Sequence, residues 1–319
     1  MLCLNKLILI ITHWCNLDCI YCPVLKEKKF MSKEIGRRAV DIFLSESGQE
    51  KGIRFFGGEP LLKFNVIKNI ITFAKRRAEK YKKSIAFDIT TNGVPLNDGI
   101  LSFIQNNPEI ELIVSLDGDR ESQLINRVSL NRNLDSYSYI INQKKILKLP
   151  KLTINIVAAP NQVEKFFHNF VHIFSLGFRR FNFLPAYFVE WQKEELKLLK
   201  KQFYKIAKFI LKQDGRVYIK NLDYFSKMPL FNDGLVIDYN GDIFSNNLIL
   251  SKHFAHLRSK LKMGNIKEYS SYSSIFLKPP NINYLIKKEN NRELLESTQK
   301  ADQILTDFVN LLKNETSRY

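Results

Sequence analysis

The chain has 319 residues, of which 45% are hydrophobic and 12% aromatic, enough for a sizeable core built as one unit or two lobes. No stretch approaches the roughly 20 consecutive apolar residues that a membrane-crossing helix needs. The short apolar run at residues 7–11 lacks a signal-peptide cleavage site behind it, so it predicts a strand. We therefore expect a cytoplasmic protein that does not insert into a membrane.

The formal net charge of +17 comes from 49 Lys and Arg against 32 Asp and Glu. Such a surplus could attract nucleic acid, an anionic membrane or an acidic peptide. The lysines are scattered through nearly every segment, however, and no basic group forms a nucleic-acid motif. A generally lysine-rich surface therefore explains the charge better than a dedicated polyanion site, and nucleic acid is kept only as a less favoured partner.

Six apolar, β-branched runs alternate with segments of helical periodicity. The predicted strands are Leu7–Thr12, Gly52–Phe56, Ile85–Thr90, Leu112–Leu116, Leu152–Val157 and Phe181–Leu184. The first predicted helix begins behind an N-cap at Ser32, and the fifth ends near Gly177. Because parallel strands need helical crossovers that cover a sheet face, this alternation predicts an α/β fold, a partial (β/α)6 barrel.

The pattern changes after a long amphipathic helix around Glu195–Lys212. Further on, the sequence predicts short strands, a turn at Asp233–Gly234, a hairpin at Asn240–Gly241 and a terminal helix from about Arg292 to Leu312. We accordingly divide the chain into a barrel at residues 1–214 and a small α+β extension at residues 215–319.

Three of the four cysteines, Cys15, Cys19 and Cys22, lie close together directly after the first predicted strand. A disulfide framework would spread its cysteines over the chain, and a closed zinc site needs a fourth ligand. His13 is the only nitrogen ligand that flanks the three, and its position two residues from Cys15 would strain a tetrahedral site. The three cysteines therefore predict an iron–sulfur centre with an open position.

The Cys-x3-Cys-x2-Cys spacing, with Tyr21 before the last cysteine, resembles the motif of the radical S-adenosylmethionine (SAM) superfamily. The resemblance implies a [4Fe–4S] cluster on Cys15, Cys19 and Cys22, with SAM bound to the fourth iron. The segment Gly57-Gly58-Glu59-Pro60, after the second strand, is similar to the family's GGEP motif. By that resemblance, its backbone and glutamate would receive the ammonium of the methionine moiety.

Two further motifs are similar to those of anaerobic sulfatase-maturing enzymes and peptide-modifying maturases. They are Thr91-Asn92-Gly93 and Ser115-Leu116-Asp117-Gly118. The resemblance implies that Asn92, Ser115 and Asp117 lie at the SAM site. The resemblance implies that Ser115 binds the SAM ribose or carboxylate.

The same branch implies an arginine for the SAM carboxylate and two adenine contacts. Arg127 matches the arginine, and Arg132 is near enough in sequence to compete with it. Val157 and Leu184, at the ends of the fifth and sixth strands, would offer backbone to the adenine. The resemblance covers roughly residues 5 to 190.

The C-terminal part resembles a SPASM-type extension, which normally carries cysteines for auxiliary clusters. Where a cysteine would follow Gly241, this chain has Ser245 and Asn246, so we expect one cluster only. Cys3 precedes the first strand and is expected near the opposite end of the barrel, in a structural role.

The resemblance implies an enzyme that reductively cleaves SAM to a 5′-deoxyadenosyl radical and abstracts a hydrogen atom from a substrate. It also implies an external one-electron donor such as flavodoxin or ferredoxin. The SPASM-like scaffold favours a peptide or protein substrate, and the basic surface predicts that this substrate is acidic. Tyr187, Glu190 and Tyr239 are candidate donors or bases, although a core or surface role is favoured for each.

Two alternatives stay open. One is a radical SAM enzyme that acts on a small metabolite or nucleic acid, and the other is a basic binding protein with a vestigial cluster. The N-terminus enters the first strand almost at once. We therefore expect a peptide to be recognised by the basic barrel rim, the C-terminal lobe or another chain.

Overall fold

The computed structural model describes residues 4–131, 134–213, 215–223, 234–271 and 292–316. The strands are β1 (Lys6–Thr12), β2 (Leu17–Cys19), β3 (Glu50–Gly57), β4 (Ser84–Thr91), β5 (Ile110–Ser115), β6 (Arg127–Ser129), β7 (Leu152–Ala158), β8 (Arg180–Pro185), β9 (Tyr218–Ile219), β10 (Leu235–Ile237), β11 (Asp242–Phe244) and β12 (Gly264–Asn265). The α-helices are α1 (Lys33–Ser45), α2 (Phe64–Lys80), α3 (Asp98–Gln105), α4 (Arg120–Asn126), α5 (Ser136–Ile141), α6 (Phe166–Ser175), α7 (Lys193–Leu211), α8 (Arg258–Leu261) and α9 (Arg292–Thr316). Short 3-10 helices cover Pro60–Lys63, Lys144–Lys148, Pro160–Lys165, Lys220–Leu222, Asn247–Leu250 and Ala255–Leu257.

Six parallel strands form the centre of one sheet, in the order β1-β3-β4-β5-β7-β8. Each lies within two residues of a predicted strand, and helices lie between successive strands along the chain. The predicted α/β class is confirmed. The predicted N-cap is also confirmed, because the Ser32 hydroxyl accepts a hydrogen bond from the Ile35 N–H.

The sheet curls around a cavity of about 680 Å³. Each of the six central strands contributes a side chain to its wall: Lys6, Arg54, Thr90, Ile113, Asn155 and Asn182. One face of the strands therefore surrounds the cavity, as expected of a partial barrel. Pairing among the described strands ends at β12 on one side and β9 on the other.

Aromatic side chains fill much of the core between the sheet and its later helices. Phe170 on α6 meets Phe181 and Phe183 of β8 edge-on, with ring centroids 5.0 and 5.4 Å apart. Phe308 on α9 lies 4.8 Å from Phe203 on α7. These contacts fix α9, which the sequence predicted, against the barrel.

The residues after the barrel extend the same sheet at both edges. Strand β9 pairs with β8, and β10 pairs in parallel with β1. A hairpin that turns at Asn240–Gly241, as predicted, then brings β11 back beside β10. Asp233 and residue 214 lie outside the described residues, and the division of the chain near residue 215 stays a prediction. No helix in the described ranges is long and apolar enough to cross a membrane.

Candidate active site

The three clustered cysteines follow β1 and lie on a loop that lines the cavity. Strand β2 pairs with β6 in a two-stranded ribbon, where Cys19 faces Arg127. The Cys22 N–H donates to the Cys19 carbonyl over 3.0 Å, and the Leu17 N–H points at the Cys15 sulfur over 3.4 Å. All three are free thiols, so a tight backbone arrangement presents three sulfurs to one space.

Burial raises the pKa of the Cys15 thiol to about 11 and that of Cys19 to about 12. Metal ligation is what stabilises a thiolate in such surroundings. Within the described ranges, no three His, Cys, Asp or Glu side chains form a group suited to a single metal ion. The donor set fits a [4Fe–4S] cubane, in which each thiolate binds a different iron.

The two glycines of the Gly57-Gly58 turn allow the chain to pack against its own backbone. Gly57 has a φ of +128°, and a Cβ added there would lie 2.2 Å from the Thr12 carbonyl oxygen. A Cβ on Gly58 would lie 2.2 Å from the Trp14 carbonyl oxygen. The N–H groups of Gly58 and Glu59 donate to these two carbonyls. These glycines therefore bring the turn against the start of the cysteine loop, and the predicted contact of their backbone with the SAM ammonium stays a prediction.

Glu59 is 1% exposed, and its carboxylate is not part of the cavity wall. It accepts hydrogen bonds from the Leu61 N–H (3.0 Å), the Thr91 hydroxyl (2.8 Å) and the Asn92 N–H (2.6 Å). Asn92 does line the cavity, and its Nδ2 lies 2.8 Å from Asn16 Oδ1 and 3.5 Å from the Cys15 sulfur. Glu59 therefore holds Asn92 in place beside the cysteine loop. Its contact with the SAM ammonium stays a prediction.

Glu59 should make stability depend on pH. Burial raises the pKa of Glu59 from 4.5 to about 7, so between these pH values the folded protein keeps a proton that the unfolded chain has lost. This group therefore lowers the unfolding free energy as pH rises through that window. We expect Glu59→Gln to become progressively more stable relative to the wild type from pH 4.5 to 7, as measured by urea unfolding of cluster-free protein.

The comparison with Glu59→Gln removes the contributions of other groups. Burial lowers the pKa of His13 to about 4, and its titration acts in the opposite direction in both proteins. A difference between the two proteins that is independent of pH would contradict a buried, titrating carboxyl group at residue 59.

Asp117 is the buried acceptor that links three lining residues of the site, Arg127, Tyr21 and Val157. It is 1% exposed, and its carboxylate accepts from Arg127 Nη2 (2.9 Å) and Nε (3.1 Å), from the Tyr21 hydroxyl (2.5 Å) and from the Val157 N–H (3.1 Å). The Arg127 guanidinium also lies 5.5 Å from the centre of the Tyr21 ring. This buried network joins the cysteine loop, β6 and β7.

Ion pairs join neighbouring elements at the cavity wall. Arg54 on β3 pairs with Asp88 on β4 over 2.8 Å, and Glu111 on β5 pairs with Lys220. Glu111 Oε1 also accepts from the Thr153 hydroxyl over 2.6 Å. Charges that are largely removed from solvent need such partners, and the basic residue of each pair, Arg54 or Lys220, lines the cavity.

Asn155 and Asn182 were not among the site residues predicted from the sequence, although each is a polar residue within a largely apolar strand. Asn182 Nδ2 donates to Asn155 Oδ1 over 2.7 Å. Both line the cavity. The wall contributed by α9 was also missed, and it consists of Leu305, Thr306, Val309 and Asn310.

The three candidate donors or bases, Tyr187, Glu190 and Tyr239, lie in different surroundings in the structure. Tyr187 lines the cavity, and its hydroxyl donates to Asp302 of α9 over 2.6 Å. Burial raises the pKa of Asp302 to about 6. Glu190 is exposed, and Tyr239 packs edge-on against His13 with ring centroids 5.2 Å apart. His13 itself bonds to Asp238 over 2.7 Å, so it is engaged away from the cysteines.

Most of the site residues predicted from the sequence line the same interior cavity of about 680 Å³. Those in its wall are Cys15, Cys19, Tyr21, Cys22, Gly57, Gly58, Asn92, Ser115, Arg127, Val157 and Leu184. Glu59 and Asp117 lie behind the wall and hold lining residues, and Pro60 begins a 3-10 helix. Cys3 and Arg132 lie outside the described residues.

The sequence features of a known family match this site. The profile of the radical SAM superfamily matches residues 9–172, just over half of the chain, and spans the cysteine loop and the walls built by β3, β4, β5 and β7. The chain therefore belongs to the radical SAM superfamily.

Solved structures share the fold over nearly the whole chain. Native anSMEcpe with bound AdoMet and Kp18Cys peptide has a TM-score of 0.79 at 17% identity, and the match covers 99% of each chain. A histidine-tagged form of anSMEcpe with bound AdoMet has a TM-score of 0.78 at 18% identity, and covers 99% of this chain and 98% of that one. SuiB from Streptococcus suis bound to its precursor peptide SuiA has a TM-score of 0.61 at 15% identity, covering 93% and 71%. At these identities the likeness is one of fold.

Curated relatives match a shorter part. The uncharacterized protein MJ0907 of Methanocaldococcus jannaschii is 37% identical over 117 residues, which cover 36% of this chain and 39% of that protein. GTP 3′,8-cyclase of Campylobacter jejuni (strain RM1221) is 32% identical over 163 residues, covering 50% and 48%. The chain thus matches less than half of the length of these relatives.

Proposed function

We propose that this protein binds one [4Fe–4S] cluster on Cys15, Cys19 and Cys22 and holds SAM in the adjoining cavity. The observation that carries the proposal is the meeting of three thiols with Asn92, Ser115 and the Gly57-Gly58 turn in one wall. The cavity volume of about 680 Å³ is in the usual range for small-molecule and cofactor sites. A cytoplasmic location is part of this proposal.

Different residues of the cavity wall would bind different parts of SAM. When bound, the reduced cluster and SAM supply a 5′-deoxyadenosyl radical that abstracts a hydrogen atom from the substrate. Asn92 and Ser115 orient the methionine and ribose groups, and Arg127, fixed by Asp117, supplies positive charge for the SAM carboxylate. The apolar wall at Val157 and Leu184 receives the adenine and excludes water.

A peptide or protein is the substrate that we favour. The solved neighbours anSMEcpe and SuiB have been crystallised with peptides, and they share the fold over most of this chain. The net charge of +17 favours an acidic peptide. The identity with GTP 3′,8-cyclase supports a nucleotide as the second candidate.

The peptide hypothesis is tested by comparing two peptides that have the same net charge but different sequences. Short peptide precursors encoded in neighbouring reading frames provide the probes. We expect reconstituted, reduced enzyme with SAM to modify the cognate acidic peptide, detected by mass spectrometry, with binding that weakens as salt rises. The control is a scrambled peptide of equal charge. Equal binding of both peptides would assign the attraction to the lysine-rich surface, and modification of GTP instead would favour the nucleotide candidate.

A further inference from the structure

Exposed apolar side chains gather beside the cysteine loop. Nine large hydrophobic residues in the described part of the chain are 37–51% exposed. Five of the nine form what we call the cluster-side patch: Ile20, Leu25, Ile125, Val128 and Leu130. Single exposed apolar residues are ordinary, but a local concentration of them marks an interaction surface.

Contacts in the chain bring these five residues together. Ile20, Leu25 and Val128 line one shallow pocket on the outside of the cysteine loop. The Ile20 N–H donates to the Asn126 carbonyl, beside Ile125. The Leu130 N–H donates to the Asn16 carbonyl, within the cysteine loop. The patch therefore covers the outer face of that loop.

The patch lies directly over two of the cysteines. Cys19 and Cys22 line both the interior cavity and the shallow outer pocket. Ile20 follows Cys19 in sequence, and Val128 follows the residue that pairs with Cys19 across the ribbon. A protein docked here would reach the thiols without entering the barrel. Electron tunnelling weakens steeply with distance, so this face suits electron delivery to a cluster.

The charges around the patch favour an acidic partner. Lys26 and Lys252 line the outer pocket, and the acid there, Asp18, pairs with Lys26. Lys28 is also exposed nearby and lies 5.3 Å from the Trp14 ring centre. An apolar centre with a charged rim is the usual form of a transient interface, and electron-transfer interfaces are small. Opposite charge on the partner would speed association.

We propose that the cluster-side patch docks a small acidic electron-transfer protein that reduces the cluster. The inference rests on the proposed function, because it takes the cluster to be bound at Cys15, Cys19 and Cys22. The donor loses one electron and the cluster gains it, and no bond forms or breaks in this step. The cavity stays open to SAM and substrate while the donor occupies the outside.

The test uses reconstituted protein and a purified acidic flavodoxin. Val128→Glu places a like charge in the patch centre, and Lys252→Glu reverses a charge on its rim. Each variant is expected to raise the Kd for flavodoxin, measured by calorimetry at low salt, by about tenfold. Formation of 5′-deoxyadenosine driven by limiting flavodoxin should fall to a similar extent. The rate driven by dithionite, a small reductant that needs no docking surface, should match the wild type.

Leu147→Glu is the matched control, because Leu147 is 48% exposed and lies in the Lys144–Lys148 3-10 helix, outside the patch. An unchanged Kd in both patch variants, or equal weakening in the control, would overturn the docking surface. Occupation of the patch by a second copy or a peptide would also leave the flavodoxin Kd unchanged. Absence of 5′-deoxyadenosine with dithionite, while the patch variants still weaken flavodoxin binding, would refute the proposed function and spare the surface.

Discussion

Replacing any one of Cys15, Cys19 and Cys22 with alanine is expected to abolish the stable cluster. Anaerobically reconstituted wild-type protein should bind about four irons per chain, because three thiolates hold one cubane. Each alanine variant would remove one of the three proposed iron ligands from a loop whose backbone is fixed by the β2–β6 ribbon, and the described residues offer no neighbouring thiol to replace it. Iron content and the absorption of the reconstituted protein measure the loss.

Cys3→Ala is the control for these variants. Cys3 is the remaining cysteine of the sequence, and its removal should leave the iron content and 5′-deoxyadenosine formation unchanged. About eight irons per chain would contradict the single-cluster interpretation. So would equal damage from Cys3→Ala, since that result would give Cys3 a role as a ligand.

The central strands and the position of the site could be predicted from the sequence. Strands of a parallel sheet are covered on both faces and read as apolar runs, which is why six of them stood out. Chemistry in such folds lies at the carboxyl ends of the strands. Cys15, Gly57, Asn92 and Ser115 each follow or end a central strand, and they do line one cavity.

The partners of the buried charges could not be predicted in the same way. Glu59 and Arg127 were expected at the SAM site, and the structure adds the protein partners that the motifs do not give, since Glu59 bonds to Asn92 and Arg127 bonds to Asp117. A sequence motif identifies which residues gather at a site but not which of them form hydrogen bonds with each other. That choice depends on burial, because a buried charge must be paired.

Contacts between segments that are far apart in the chain could not be predicted from the sequence either. Strand β10 has only three residues, and its parallel pairing with β1 joins Leu7 to Leu235, far apart in the chain. The apolar face of α9 was visible from its periodicity, but the part of the cavity that Leu305 and Val309 cover was not. Such contacts follow from the packing of the finished barrel rather than from a local pattern.

Asp117→Ala is expected to be among the most destabilising single changes in the barrel. The Asp117 carboxylate accepts hydrogen bonds from two Arg127 nitrogens, the Tyr21 hydroxyl and the Val157 N–H. Removing it leaves a buried guanidinium without this countercharge, since the Arg127 side chain is only 7% exposed. Breaking one side of a buried ion pair typically costs about 3–5 kcal/mol. Urea unfolding of the cluster-free protein measures the cost as a fall in the midpoint at constant slope.

Asp98→Ala provides the comparison, because Asp98 also pairs with a basic residue, Lys145, but the two side chains are 71% and 57% exposed. Solvent screens that pair, so its loss should have little effect on the unfolding midpoint. Asp117→Asn should fall between the two, since the amide oxygen keeps part of the hydrogen bonding but not the charge. Equal midpoints for Asp117→Ala and Asp98→Ala would show that Arg127 finds another partner. In that case Arg127 would not depend on Asp117 for its position beside Tyr21 and the cysteine loop.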